Sequence, residues 1–119
     1  MAVEPVVREA LERLLADAEF APPLGGARHV GSFWTRTHDV EIDLVGGDAP
    51  SPSAIGFVGA IKWHKREPFD VRDATALTEH RRRIPSAAGA KLLAVSRTGA
   101  GRDVAVDVVV GPDELLSAW

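Results

Sequence analysis

Two residue types stand where chemistry needs them. Asp43 lies in the strand-like segment Val40–Val45 (VEIDLV), and Lys62 lies near the end of the apolar run Gly56–Lys65 (GFVGAIKWHK). Metal-assisted hydrolysis of a phosphodiester uses carboxylates to hold one or two hard divalent cations. It also uses a cation such as lysine to stabilise the charge that develops at the phosphate. Residues two apart on a strand share a face, so an acid at position 60 would point the same way as Lys62. Position 60 is Ala60, which offers no ligand. Glu41 is read on the face of Asp43, roughly 6–7 Å along the strand, and is the replacement carboxylate. The Ile61 carbonyl is a further oxygen within the same segment, and Glu4 on the first helix is a third acid able to approach. The plainer reading of the same residues is a structural ion pair between Asp43 and Lys62 on adjacent strands, with Glu41 solvated and Glu4 serving as a helix cap.

The remaining chemistry is sparse. His29, His38, His64 and His80 have no spacing that suits a helical zinc site and are read as surface or turn residues. The Gly25-Gly26 and Gly46-Gly47 pairs lack the lysine and spacing of a phosphate loop, so no ATP site is expected in this chain. Basic residues form two groups: Lys62, His64, Lys65 and Arg66 after the central apolar run, and Arg72, Arg81, Arg82 and Arg83 on a predicted helix. If both faced one side they would hold a phosphate backbone; otherwise they are solvated faces paired with nearby acids. Trp34 and Trp63 are candidates for stacking on bases, or for packing at strand ends.

The elements that must position these residues follow from periodicity. Glu4-Pro5 opens a helix whose apolar face is Val7, Ala10, Leu11, Leu14 and Ala18. Arg28–Arg36 is a strand. In Val40–Val45, Val40, Ile42 and Leu44 are expected on one side and Glu41 and Asp43 on the other. Ile55–Trp63 is apolar on both faces and reads as a central strand. Asp70 caps a second helix, with Asp73 in its first turn and Pro85 as its stop. Lys91–Ser96 is a buried strand; Val104, Val106, Val108 and Val110 alternate as a fifth; and Pro112–Trp119 is a short closing helix. The expectation is an α+β fold, a mixed sheet of about five strands flanked by helices, in the order αβββαββα.

The 119 residues and 45% hydrophobic content suit one domain with one core. The formal charge of -3 argues against a dedicated polyanion binder and leaves only a local basic patch for nucleic acid. With no cysteine, disulfides and cysteine-based metal sites are excluded, and the cytoplasm is the expected compartment. No apolar run approaches the ~20 residues of a membrane span.

The strings Gly31-Ser32-Phe33-Trp34, Arg36, Glu41-Ile42-Asp43-Leu44-Val45 and Gly59-Ala60-Ile61-Lys62-Trp63 together resemble a known arrangement. They are similar to the C-terminal domain, of unknown function, of archaeal and bacterial AAA-type ATPases, a restriction-endonuclease-like domain of the PD-(D/E)XK superfamily. The pattern there reads approximately G-x-W-W, then E-I-D-hydrophobic, then G-E-C-K-W. The resemblance extends over Glu4, Pro68-Phe69-Asp70 and Gly111-Pro112-Asp113-Glu114-Leu115-Leu116. It implies a restriction-endonuclease-like core, with Asp43 as the metal-binding acid and Lys62 as the catalytic lysine; Glu41 matches the first residue of the E-I-D string and Glu4 the helix-one glutamate of some relatives, and with Asp43 these are the expected catalytic and metal (Mg or Mn) residues. From the basic groups themselves, nucleic-acid contacts are expected of Lys62, Lys65, Arg66, Arg81 and Arg82. The resemblance further implies that this chain is the tail of a longer protein bearing a P-loop ATPase and a winged-helix segment. Ala60 stands where the family has its second acid. The first expectation is therefore a degenerate, non-catalytic domain that binds DNA, or dimerises and regulates the attached ATPase. The second is a divergent metal-dependent DNA endonuclease using Asp43, Glu41 and Lys62.

Overall fold

The structure, a computed structural model, describes residues 3–17, 19–34, 41–48, 55–101 and 103–119; the side chains of residues 3, 33, 34, 41 and 85 lie outside that description. The elements in chain order are α1 (Val3–Leu14), β1 (His29–Trp34), β2 (Glu41–Gly47), β3 (Ile55–Lys62), α2 (Val71–Arg82), β4 (Lys91–Ser96), β5 (Val108–Val110) and α3 (Pro112–Leu116). This is the order αβββαββα expected from periodicity. The five strands form one mixed sheet with spatial order β1-β2-β3-β4-β5. The first three pair antiparallel, and β3–β4 and β4–β5 pair parallel. A parallel pair needs a crossover, and α2 supplies it between β3 and β4.

Two layers of apolar side chains cover the sheet. On one face Val7 and Leu11 of α1 and Leu115 of α3 pack on Leu44, Phe57, Leu93, Val95 and Val110. On the other face Ala74 and Leu77 of α2, with Phe69 and Ile84, pack on Ile42, Val58, Leu92 and Ala94. Alternate residues of β3 and β4 thus enter opposite cores, which is why both strands read as continuous apolar runs.

Three expectations are corrected. Ile42 and Leu44 do not share a face: Leu44 belongs to the α1 side and Ile42 to the α2 side. The cause is a β-bulge. From Phe33↔Ile42 to Gly31↔Val45, β2 spends one residue more than β1, and strict alternation fails there. The fifth strand is shorter than its valine pattern, starting at Val108 rather than Val104. Asp107 stops it. Its N–H donates to the Leu92 carbonyl at 2.9 Å, while its carboxylate accepts the Leu92 N–H at 2.8 Å. A side chain thereby occupies the donor that a longer ladder would use. Finally, α1 ends at Leu14 rather than running on to position 18, which lies outside the described residues. The next turn tightens to bonds three residues apart, Ala16 to Arg13 and Asp17 to Leu14.

Gly46 shows how tightly the α1 side is built. It pairs with Phe57, whose ring lies where a Cβ on Gly46 would go. Gly31 in β1 has open space at the same atom. Gly46→Ala is expected to lower stability by about 1–3 kcal/mol through overpacking of Phe57. Gly31→Ala should stay within about 0.5 kcal/mol of the parent. Urea unfolding midpoints of the two variants check this.

Candidate functional site

Lys62 is the last residue of β3, and its register partner on β4 is Ser96. Its side chain leaves the sheet on the α2 side, the face to which Ala60 belongs. Directly opposite is the first turn of α2. Asp70 is the N-cap, accepting the Asp73 N–H on Oδ1 at 3.0 Å. Asp73 reaches back and accepts the Asp70 N–H on Oδ2 at 2.9 Å. This is a reciprocal capping box, in which two helix-end donors are satisfied by two carboxylates. The same Oδ2 of Asp73 accepts from Lys62 Nζ at 2.8 Å, and Asp70 Oδ2 stands 3.7 Å from that nitrogen. The lysine is therefore held by the two capping acids, with 16% of its side chain exposed.

Asp43 has a different role. Its Oδ2 accepts the backbone N–H of Ile61 at 2.9 Å. The β2–β3 ladder stops at Leu44↔Gly59, and beyond it the Asp43 side chain continues the pairing. The expected structural ion pair between Asp43 and Lys62 is replaced by two separate bonds, Asp43 to the β3 backbone and Lys62 to Asp73. The two residues nevertheless line one groove of 440 Å³ between α2 and the β2–β3 strands. Its floor is Ile42, Gly59, Ala60, Phe69 and Leu77; Asp43, Lys62, Glu67 and Asp73 edge it, together with His64 and His80.

The other candidates are placed as follows. Glu41 pairs with Trp34 in the β1–β2 ladder, and its side chain lies outside the described residues. Glu4 is in the first turn of α1, which packs on the far face of the sheet, and it does not line the groove. Trp63 is half-buried against the α1-side core, away from Lys62, so it packs rather than presents a ring to the groove. Lys65 and Arg66 are exposed just past β3. Arg81 donates to the Ala90 carbonyl at 2.7 Å, and Arg82 pairs with Glu79 at 3.3 Å. Ala90 precedes Lys91, which pairs with Phe57, five residues before Lys62. Arg81 therefore sits toward the far end of β3, about 17 Å along the strand from Lys62, while Arg72, in the first turn of α2, lies at the Lys62 end.

Sequence reasoning missed Asp73 as the partner of Lys62, and missed that His64 and His80 border the groove. A signal for Asp73 was present: a D-x-x-D cap opening the helix that follows a lysine-ended strand. A crossover helix that starts near the end of its strand brings the two together. A larger depression of 630 Å³ lies between the end of α1 and β1, with Glu12, Asp17 and Arg28 on its walls, and holds none of the sequence candidates.

The oxygens along the groove are already engaged in part. Oδ2 of Asp43 accepts a backbone N–H, Oδ2 of Asp73 accepts from Lys62 and a backbone N–H, and Ala60 carries no side-chain oxygen. Among the described residues no three acidic or histidine side chains group as a metal site. Nor is any helix there long and apolar enough to cross a membrane. No protein family, curated protein or solved structure matches the chain.

Electrostatics follow the geometry. The hydrogen bond to Asp73 raises the Lys62 pKa above its ordinary 10.5, against a smaller opposing effect of burial. The Asp73 N–H lowers the Asp70 pKa below 3.8, helped by Lys62. A raised lysine stabilises the fold fully below 10.5, and that contribution is lost as pH rises through the folded value. A lowered aspartate stabilises it above 3.8, and that contribution is lost as pH falls through the folded value. The stability difference between the parent and Lys62→Met should thus be largest between these limits and shrink outside them, as read from thermal unfolding across pH. Asp43→Ala strands the Ile61 N–H and is expected to cost about 1–3 kcal/mol. Asp43→Asn keeps the acceptor and should stay near the parent in urea unfolding.

Proposed function

We propose that the chain is a degenerate, non-catalytic PD-(D/E)XK nuclease-like domain of the cytoplasm, working through protein contacts in an AAA-type ATPase. The observation that carries this reading is the state of Lys62. Its ammonium is already bound to Asp73 at 2.8 Å, with Asp70 at 3.7 Å. A lysine so held has an internal anion where a phosphate oxygen would have to come. Ala60 on the same groove removes the carboxylate that the resemblance places there. The element order supports the family frame, because an antiparallel β1–β3 meander followed by a crossover helix and parallel β4 is compatible with the core the resemblance implies.

Protein contact is favoured over DNA by charge and by apolar exposure. Asp43, Glu67 and Asp73 edge the groove, while Arg81 lies toward the far end of β3 beside Ala90. A phosphate backbone would meet repulsion beside each attraction. Val6 of α1, Val109 of the edge strand β5, and Leu116 and Trp119 at the C-terminal end are exposed. Such side chains are ordinary singly and are contact points where a partner covers them.

A divergent Mg- or Mn-dependent endonuclease is the second reading. It is favoured by one observation, that Asp43 and Lys62 line the same groove. Plasmid nicking with Mn²⁺ separates the two. The parent and Lys62→Ala should be equal, at background, and labelled duplex DNA should bind weakly even at low salt. Metal-dependent nicking by the parent that disappears in Lys62→Ala would overturn the non-catalytic reading.

A further inference from the structure

We propose that two copies of this chain dock symmetrically across the groove, the Lys65–Arg66 pair of each entering the acidic groove of the other. The inference rests on the protein-contact reading and names the partner as a second copy. Its ground is the arrangement of charge at the groove mouth. His64 and Glu67 both border the groove, and Lys65 and Arg66 stand exposed between them. Among the described residues no ion pair engages either cation. Within the groove Lys62 is paired with Asp73, and among the described residues neither Asp43 nor Glu67 forms an ion pair, Glu67 acting on Lys62 only through the longer-range field.

One surface thus carries an unpaired basic pair directly beside an acid-edged concavity. A two-fold axis places the same patch against itself, so that a surface with both signs side by side is self-complementary. The groove's 440 Å³ and its floor of Ala60, Phe69 and Leu77 suit the aliphatic stem of a lysine or arginine, with the charged head reaching Asp43 and Glu67. A nucleic-acid backbone matches only the basic half of this patch and is repelled by the other. A second copy matches both halves.

Sedimentation equilibrium of the full chain tests the proposal. The parent is expected to form a dimer at low salt at about 100 µM, a concentration that populates even a roughly 10 µM contact. Association should weaken roughly tenfold in about 0.5 M salt, as an exposed charge-paired contact does. Lys65→Glu with Arg66→Glu should be monomeric, and so should Glu67→Lys. All three positions are exposed, so the variants should keep the parent's circular dichroism and unfolding midpoint. An equimolar mixture of the double variant and Glu67→Lys restores opposite charge at both contacts and should recover the dimer. A monomeric parent overturns the proposal. So does a dimer that survives both charge reversals, which would place the contact on the apolar side chains of α1, β5 and the C-terminal end. So does a mixture that stays monomeric. Plasmid nicking by the parent would overturn the non-catalytic reading alone, and monomeric behaviour would overturn the dimer alone, so the two failures are separable.

Discussion

The bond between Lys62 and Asp73 joins the end of one strand to the start of the helix that follows it. Three constraints meet at one residue: Oδ2 of Asp73 accepts both the lysine ammonium and the Asp70 N–H, while the Asp73 N–H is held by Asp70 Oδ1 in return. The crossover from β3 to β4 must bring α2 down on the sheet at a defined angle, and this cluster sets where its first turn lands. Ala74 and Leu77 then reach the α2-side core with Phe69. The same contact explains why Lys62 tolerates a position only 16% exposed: a cation partly withdrawn from water needs an anion at hydrogen-bond distance.

Carboxylates do a second kind of structural work in this fold. Asp43 accepts the Ile61 N–H where the β2–β3 ladder ends, and Asp107 accepts the Leu92 N–H where the β4–β5 ladder begins. In both places a side chain completes a backbone bond that a strand does not supply. Each donor lies next to a covered strand, where an unsatisfied N–H is costly. An aspartate in a strand, beside a lysine two strands' edges away in sequence pattern, is thus equally the mark of a chemical site and of a ladder end. The bulge in β2 ties the two roles together. By moving Ile42 to the α2 side it gives the groove an apolar wall next to Asp43.

The distribution of charge follows from the topology. Because β3 and β4 are parallel, α2 runs back along the sheet, and its basic C-terminal turn finishes beside Ala90, at the start of β4. Lys65 and Arg66 stay at the other end with the groove. Arg81 and Arg82 are favourable near a helix C-terminus, where the dipole is negative, and each also has a local acceptor. Their clustering in sequence therefore has a helix-level cause and requires no external polyanion.

Local patterns carried much of this protein. The 3.6-residue and two-residue periods in the sequence are enough to set out every element in its order. They also set β3 and β4 as strands covered on both sides, and Asp70 as the cap of α2, because each depends on neighbours within one turn or one pleat. Tertiary structure alone decided which charges meet. Lys62 pairs with Asp73 rather than Asp43, since the partner of a long, flexible ammonium is whichever carboxylate the crossover brings within reach. It alone placed Ile42 across the sheet from Leu44 and cut the fifth strand to Val108–Val110, since a bulge and a side-chain ladder bond depend on the neighbouring strand and leave no periodic trace in the segment that contains them.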